Sequence, residues 1–242
     1  MSEPLKILVT GEDTLRDRLP MTVGDRALEW TILPVLEFER LPVPPEIFES
    51  LHAYAWIVFT SPRTVQFWSE ALLEAGTEMG PETRIACMGP RTAKVASNDG
   101  YTPDLVPERP GTEGLVHAFG ALRLSGLKIL IPEAEKGRGE LKAPLAAKGA
   151  LVTTVPLYRT RVRSDLEREP RTPIASIDYF VFTSPSSVRA VVSHFDVDRT
   201  RPVACLGEYT AAALRTEGFA NPYCLPGAKF ENIRDWIGET RC

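Results

Sequence analysis

The residues able to do chemistry come in matched pairs. Ser61 follows Phe59-Thr60 and precedes Pro62, and Ser184 follows Phe182-Thr183 and precedes Pro185. Gly89-x-x-Thr92 has a counterpart in Gly207-x-x-Thr210. All four hydroxyls sit where an apolar run gives way to an amphipathic one, as when a strand runs into a helix. A helix N-terminus has backbone N–H groups without intrahelical partners and the positive end of the peptide dipoles. Such a turn attracts carboxylates and phosphates. Gly111-Thr112-Glu113 and the loop Lys136-Gly137-Arg138-Gly139 offer more of the same. Each hydroxyl alone also reads as a plain helix cap. The pairing favours a ligand, because one phosphate does not need that many turns and a molecule with many anionic groups does.

Tyr158 closes the apolar run that begins at Leu151, and Arg159, Arg161 and Arg163 alternate after it. On a strand those three arginines share one face. A phenol beside a basic face holds acids and donates a proton. An exposed connector strand whose charged edge discourages aggregation explains the same pattern equally well.

Other chemistries lack their residues. No strand-like run is followed by a P-loop or by G-x-G-x-x-G, and neither Ser61 nor Ser184 sits in a G-x-S-x-G elbow. His52, His117 and His194 are scattered over amphipathic stretches, with no metal-binding spacing, and read as helix-surface or packing residues. Glu133 and Glu135 lie two apart in what reads as a solvated loop. Cys87 and Cys205 sit inside apolar runs and read as buried. They form no CxxC or zinc pattern with Cys224 and Cys242. The expectation is an enzyme site with no metal and no cofactor.

The elements that must position these residues are written twice. Phe59-Thr60-Ser61-Pro62 returns 123 residues on as Phe182-Thr183-Ser184-Pro185. Ala86-Cys87-Met88-Gly89 returns as Ala204-Cys205-Leu206-Gly207, Ile7-Leu8-Val9 as Ile129-Leu130-Ile131, and Leu33-Pro34-Val35 as Val155-Pro156-Leu157. Four matches in one order at nearly constant offset indicate duplication. Each copy alternates short apolar runs with amphipathic ones, which predicts βα units on a parallel sheet. Strands are expected at 6–10, 30–36, 55–60, 84–88 and 102–106, and again at 128–131, 151–158, 178–183, 203–206 and 222–225. The unbroken runs Ile57-Val58-Phe59 and Tyr179-Phe180-Val181-Phe182 suit strands covered on both faces. After Ser61, residues Val65, Trp68, Leu72 and Leu73 are expected on one helix face. Gly76, Gly100, Gly149 and Gly218 are placed to end helices. The segments 41–45 and 163–173 read as connectors. Patterning by itself suggests a tandem split near residue 125.

A chain of 242 residues has room for one or two domains of roughly 100–200 residues. Its 43% hydrophobic and 25% charged residues are ordinary for a globular protein. The net charge of −4 and the lack of a basic run argue against nucleic acid as a partner. No apolar stretch reaches the roughly 18 residues of a membrane span, and Met1-Ser2-Glu3-Pro4 is unlike a secretion signal. A cytoplasmic protein is expected. No long apolar surface stripe is left over, so a monomer is expected.

The paired Phe-Thr-Ser-Pro-x-x-Val and Gly-x-x-Thr-Ala elements, with Val-Pro-Leu-Tyr-Arg-Thr at 155–160, resemble the uroporphyrinogen-III synthase family over about residues 6–237. The motifs are short, and their order and pairing carry the likeness. The resemblance implies an α/β protein of two parallel-sheet domains joined by a two-stranded connector, with the active site in the inter-domain cleft. The domains would be 1–36 with 161–242, and 37–160, in place of the tandem split. The connectors would be Pro34 to Arg40 and Pro156 to Arg163.

The implied substrate is hydroxymethylbilane, which carries eight carboxylates and a reactive hydroxymethyl group. Loss of water gives an azafulvene, which the substituted carbon of ring D attacks to form a spiro intermediate. Fragmentation and reclosure then invert ring D. Unassisted closure gives the type I isomer, so the enzyme's task is to hold one fold of the substrate. The resemblance assigns Tyr158 as proton donor to the leaving hydroxyl, and phenols hold their proton at neutral pH. It places Ser61, Thr92, Ser184 and Thr210 along the cleft as carboxylate grips, with Arg63 and Arg138 adding charge. Two departures stand out. The turn Thr10-Gly11-Glu12 lacks the basic residue that members often carry there, and Glu208 lies beside Thr210. A two-lobed α/β binder of an anionic ligand, without turnover, would show nearly the same fold signals.

Overall fold

The computed structural model describes residues 3–137, 139–166, 174 and 176–240. The chain divides into two compact units, Met1–Glu37 with Arg161–Cys242, and Phe38–Thr160.

The first unit is built on a six-stranded sheet of β1 (Leu5–Thr10), β2 (Thr22–Val23), β3 (Arg26–Leu33), β10 (Tyr179–Phe182), β11 (Val203–Cys205) and β12 (Tyr223–Cys224). Its order is β12-β11-β10-β1-β3-β2, parallel except for the short β2, which runs antiparallel to β3. The second sheet contains β4 (Leu36–Arg40), β5 (Trp56–Phe59), β6 (Arg84–Cys87), β7 (Pro103–Leu105), β8 (Lys128–Ala134) and β9 (Leu151–Val162), in the order β4-β9-β8-β5-β6-β7. Strands β5 to β9 run parallel to one another in it. Leu41 N–H donates to Leu157 O at 2.7 Å and Arg163 N–H to Val35 O at 3.1 Å, which sets β4 antiparallel to β9.

Read from opposite ends, the two sheets have one plan. Strands β1, β3, β10, β11 and β12 occupy the places that β8, β9, β5, β6 and β7 hold in the other sheet. Of these ten strands, each sequence copy therefore gives two to one sheet and three to the other. No boundary near residue 125 separates the units, because β5 and β8, on either side of it, are hydrogen-bonded neighbours.

The unbroken apolar runs follow from burial on both faces. Successive strand side chains point to opposite faces. In β5, Ile57 and Phe59 join a core with Val65, Trp68 and Leu72, while Trp56 and Val58 join Leu115, Phe119 and Leu145 on the other side. In β10, Phe180 and Phe182 pack with Val188 and Leu214, and Tyr179 and Val181 pack with Ile233 and Trp236.

The helices are α1 (Pro45–Glu49), α2 (Pro62–Ala75), α3 (Pro90–Asn98), α4 (Thr112–Gly120), α5 (Lys142–Ala147), α6 (Pro185–His194), α7 (Glu208–Thr216) and α8 (Ile233–Glu239). Helix α2 buries Val65, Trp68 and Leu72 as expected, but Leu73 is 83% exposed. At about 100° per residue, Leu73 lies roughly 140° around the helix from Trp68, past the edge of the apolar stripe. Gly76, Gly100, Gly149 and Gly218 all sit at helix ends with positive φ, the conformation that favours glycine there.

All ten expected strands are present, with shifted limits. The 30–36 run is two strands, β3 and β4, interrupted at Pro34-Val35. Strand β8 continues to Ala134, so Glu133 lies on a strand rather than in a loop. Strand β9 continues to Val162 and lies between β4 and β8, so it is not an edge strand. Of the expected connector 163–173, residues 167–173 lie outside the described residues. Cys87 and Cys205 are buried, as expected. His52 and His117 are exposed, and His194 Nδ1 lies 2.9 Å from Ala190 O within its own helix. No helix among the described residues is long and apolar enough to cross a membrane.

Candidate active site

In the second sheet, β5, β6 and β7 proceed outward in one direction and β8, β9 in the other, so the strand order reverses between β5 and β8. Ligands of open parallel sheets collect beyond the carboxyl ends of the strands at such a point. A cavity of about 220 Å³ lies there, lined by Thr60 and Ser61 after β5, Met88 after β6, Ile131, Glu133 and Ala134 of β8 and Thr154 and Tyr158 of β9. Thr112 of α4, Gly137, Gly139, Glu140, Leu141 and Lys142 complete the wall. Sites that enclose a drug-sized ligand run to roughly 300–1,000 Å³, so this cavity suits part of a larger molecule.

Ser61 is the N-cap of α2. Its hydroxyl accepts from Thr64 N–H at 3.2 Å, and Ser61 N–H donates to Thr64 Oγ1 at 3.1 Å. A hydroxyl that accepts a backbone N–H keeps its own proton to donate. Pro62 at the first helical position brings no N–H, so the amide of Arg63 comes next at the helix start. The Arg63 guanidinium lies 3.3 Å from the Phe38 ring centroid. Phe38 meets the Tyr158 ring edge-on at 6.0 Å, and Phe67 packs against it at 5.2 Å. Ser61, Arg63 and Tyr158 are thus gathered in one neighbourhood.

Thr92, in the first turn of α3, is not among the cavity residues and is only 5% exposed. Arg138 lies outside the described residues, between Gly137 and Gly139, which do line the cavity.

Two lining groups escape a reading by motif. Glu133 is half-buried, and burial raises its carboxyl above the ordinary range, with Lys142 opposing the shift. A Cβ placed on Gly137 would sit 2.7 Å from Glu133 Oε2, so the glycine lets the loop fold closely over that carboxylate. The sequence signal for Glu133 was hidden by Pro132, which made the β8 run look finished at Ile131.

The first sheet reverses its order between β1 and β10, and hydroxyls cluster at that carboxyl end. Ser184 caps α6 and accepts from Ser187 N–H at 3.1 Å. Thr10 is fully buried. Its Oγ1 donates to Ser187 Oγ at 3.0 Å and accepts from Thr183 N–H at 3.1 Å, while Thr183 Oγ1 donates to Thr10 O at 2.9 Å. Thr210, at the third position of α7, is 4% exposed. Glu208 on the same turn pairs with Arg215 at 2.6 Å along its own helix.

Arg159 on β9 and Arg163 just beyond its end are engaged by acids and a carbonyl. Arg159 lies 3.7 Å from Glu135 and 4.0 Å from Glu39. Arg163 grips Asp165 at 2.7 and 2.9 Å and donates to Pro34 O at 2.8 Å. Among the described residues no group of three or more His, Cys, Asp or Glu could hold a metal ion.

A family model described as HEM4, uroporphyrinogen-III synthase HemD, matches residues 19–233. The chain is 29% identical over 171 residues to a putative uroporphyrinogen-III synthase of Methanothermobacter thermautotrophicus, a match covering 68% of this chain and 66% of that protein. It is 25% identical over 232 residues to the uroporphyrinogen-III synthase of Synechococcus elongatus, covering 85% of this chain and 87% of that protein. A match to the porphyrin biosynthesis protein HemD of Ruminiclostridium josui, 27% identical, covers 89% of this chain but only 45% of that longer protein. The fold is similar to the uroporphyrinogen-III synthetase of Helicobacter pylori 26695, with a TM-score of 0.65 and 16% identity over 98% of this chain and all of that one. It is also similar to a mutant uroporphyrinogen III synthase of Thermus thermophilus, with a TM-score of 0.64, 16% identity and 98% and 99% coverage. With the family model spanning all but the two ends of the sequence, the chain belongs to the uroporphyrinogen-III synthase HemD family.

Proposed function

We propose that the chain catalyses the reaction its family is named for. It would cyclise hydroxymethylbilane with loss of water and inversion of ring D, as a cofactor-free, cyclising hydro-lyase of tetrapyrrole and haem biosynthesis. The observation that carries this reading is the repetition of one turn chemistry at the carboxyl ends of two sheets. Ser61 and Ser184 cap their helices identically, and each lies at the reversal of strand order in its own unit. A ligand with eight carboxylates uses many such turns at once.

In this proposal residues 1–36 with 161–242 form one domain and 37–160 the other. The passages Pro34 to Arg40 and Pro156 to Arg163 form the connector, and the substrate lies in a cleft between the domains. Ser61, Arg63, Thr92, Arg138, Ser184 and Thr210 hold its carboxylates. The 220 Å³ cavity takes one acid-bearing portion against Ser61 and Lys142. Tyr158, fixed by Phe38 and Phe67, gives its phenolic proton to the departing hydroxyl, which leaves as water. The remaining work is conformational: bound carboxylates keep the chain folded so that the substituted carbon of ring D meets the azafulvene. A monomer in the cytoplasm, with no partner but its substrate, completes the reading.

The test is product analysis. Hydroxymethylbilane is supplied, the products are oxidised, and uroporphyrin isomers I and III are separated beside an enzyme-free control. Predominant isomer III is the expected result. Isomer I at the control rate would reject turnover and leave an anion-binding protein.

A further inference from the structure

Cys205 and Cys224 are direct register partners on the parallel strands β11 and β12. Direct partners in a sheet send their side chains from the same face, and both of these pack against the core cluster that holds Phe182, Leu214 and Phe219. Burial, with Cys224 beside it, pushes the Cys205 thiol up to about 12. Cys205 is buried, while Cys224 is partly exposed and gives reagents an approach. Cys205 Sγ also donates to Gly207 O at 3.5 Å, at the turn that starts the helix carrying Thr210.

The strand spacing decides what two such thiols can take. A disulfide needs its Cβ atoms about 3.5–4.5 Å apart. Direct partners on parallel strands carry their side chains side by side, so their Cβ atoms keep about the 4.8 Å strand spacing, above that range, and a direct S–S bond would have to draw β12 inward. An atom inserted between the sulfurs spans the gap without moving the strands. We propose that Cys205 and Cys224 form a two-sulfur site for a soft, thiophilic centre, of which trivalent arsenic is the type. Soft thiolate ligands select such centres over hard cations. With an organoarsenic(III) oxide the step is a condensation. Two S–H bonds and the As–O bonds break, two As–S bonds form, and both thiol protons leave with the oxygen as water. Arsenic stays trivalent, so no oxidant or reductant takes part. The Cys205 S–H bond to Gly207 O is lost in the process. This inference is independent of the proposed reaction.

The test uses the whole native protein and phenylarsine oxide, read by intact mass spectrometry after gel filtration. The wild type is expected to retain one equivalent through excess monothiol and to release it to a dithiol. Cys224→Ser and Cys224→Ala are expected to retain none, with circular dichroism confirming that they fold. Cys242→Ser is expected to behave as wild type. Retention by either folded Cys224 variant, loss in Cys242→Ser, or no adduct on the wild type would each overturn the proposal.

Discussion

Ser61 and Ser184 close the same capping box 123 residues apart, with φ/ψ of −156°/161° and −158°/158°. In each box the serine hydroxyl accepts the N–H three residues on, and that residue's hydroxyl accepts the serine N–H. The partners, Thr64 and Ser187, are both 1% exposed, so water cannot readily replace their side of the exchange. Losing an N-cap hydroxyl costs about 1 kcal/mol. Ser61→Ala and Ser184→Ala are each expected to lose about that much stability in guanidinium unfolding. An unchanged midpoint in either variant would mean that its box contributes nothing to that unit.

Tyr158→Phe separates chemistry from packing. The ring keeps its contacts with Phe38 and Phe67, and only the hydroxyl goes. Stability should stay within about 0.5 kcal/mol, as for a change with no named packing loss. A positioned general acid contributes about 10²–10⁴-fold. An assisting donor belongs at or below the low end, so kcat is expected to fall about 10- to 100-fold with isomer III still the main product. Wild-type turnover in this variant would remove the proton-donor role.

Much of the fold was legible because both faces of each sheet are covered. Runs such as Trp56–Phe59 and Tyr179–Phe182 then need apolar residues at every position, and they appear twice in the sequence. The cap serines were legible from Ser-Pro after such runs. Strand β4 was not, because Leu36–Arg40 alternates apolar and acidic or basic residues and reads as a continuation of β3 or as a linker. Glu133 and Lys142 were not, because they come from a strand end and a short helix, and no local motif brings them to Ser61 and Tyr158. Thr10 escapes the sequence for a similar reason. Its partners Thr183 and Ser187 are more than 170 residues away, and only the β1–β10 pairing brings them within reach.

Two helical glycines should answer alanine in opposite directions. Alanine in a helix is ordinarily better than glycine by about 1 kcal/mol. At Gly238 a Cβ would meet nothing within 4 Å, so Gly238→Ala is expected to be neutral or to gain up to about 1 kcal/mol. At Gly114 a Cβ would fall 1.7 Å from the Arg109 carbonyl oxygen, a backbone atom that cannot swing aside. Helix α4 and the 106–110 segment would have to part, and overpacking of this kind costs about 1–3 kcal/mol. Paired thermal melts decide it. A gain at Gly114 would show that the segment yields without loss.

Glu133 gives the fold a pH dependence of definite sign. Burial raises its carboxyl in the folded chain, with Lys142 opposing in part. As pH rises past the ordinary carboxylate value, near 4.3, the unfolded chain gives up this proton first while the folded chain still holds it. The folded state then binds more protons, so stability falls with rising pH across that window. The stabilising share of the neutral carboxyl is complete below the ordinary value and gone above the raised one. Glu133→Gln cannot ionise and should lack this slope. Unfolding midpoints from pH 4 to 7 are therefore expected to drift apart, with the glutamine variant gaining on the wild type as pH rises and the gap levelling off at the top of the range. Parallel curves would place Glu133 in contact with water, and the close fold of Gly137 over its carboxylate would then have no electrostatic consequence.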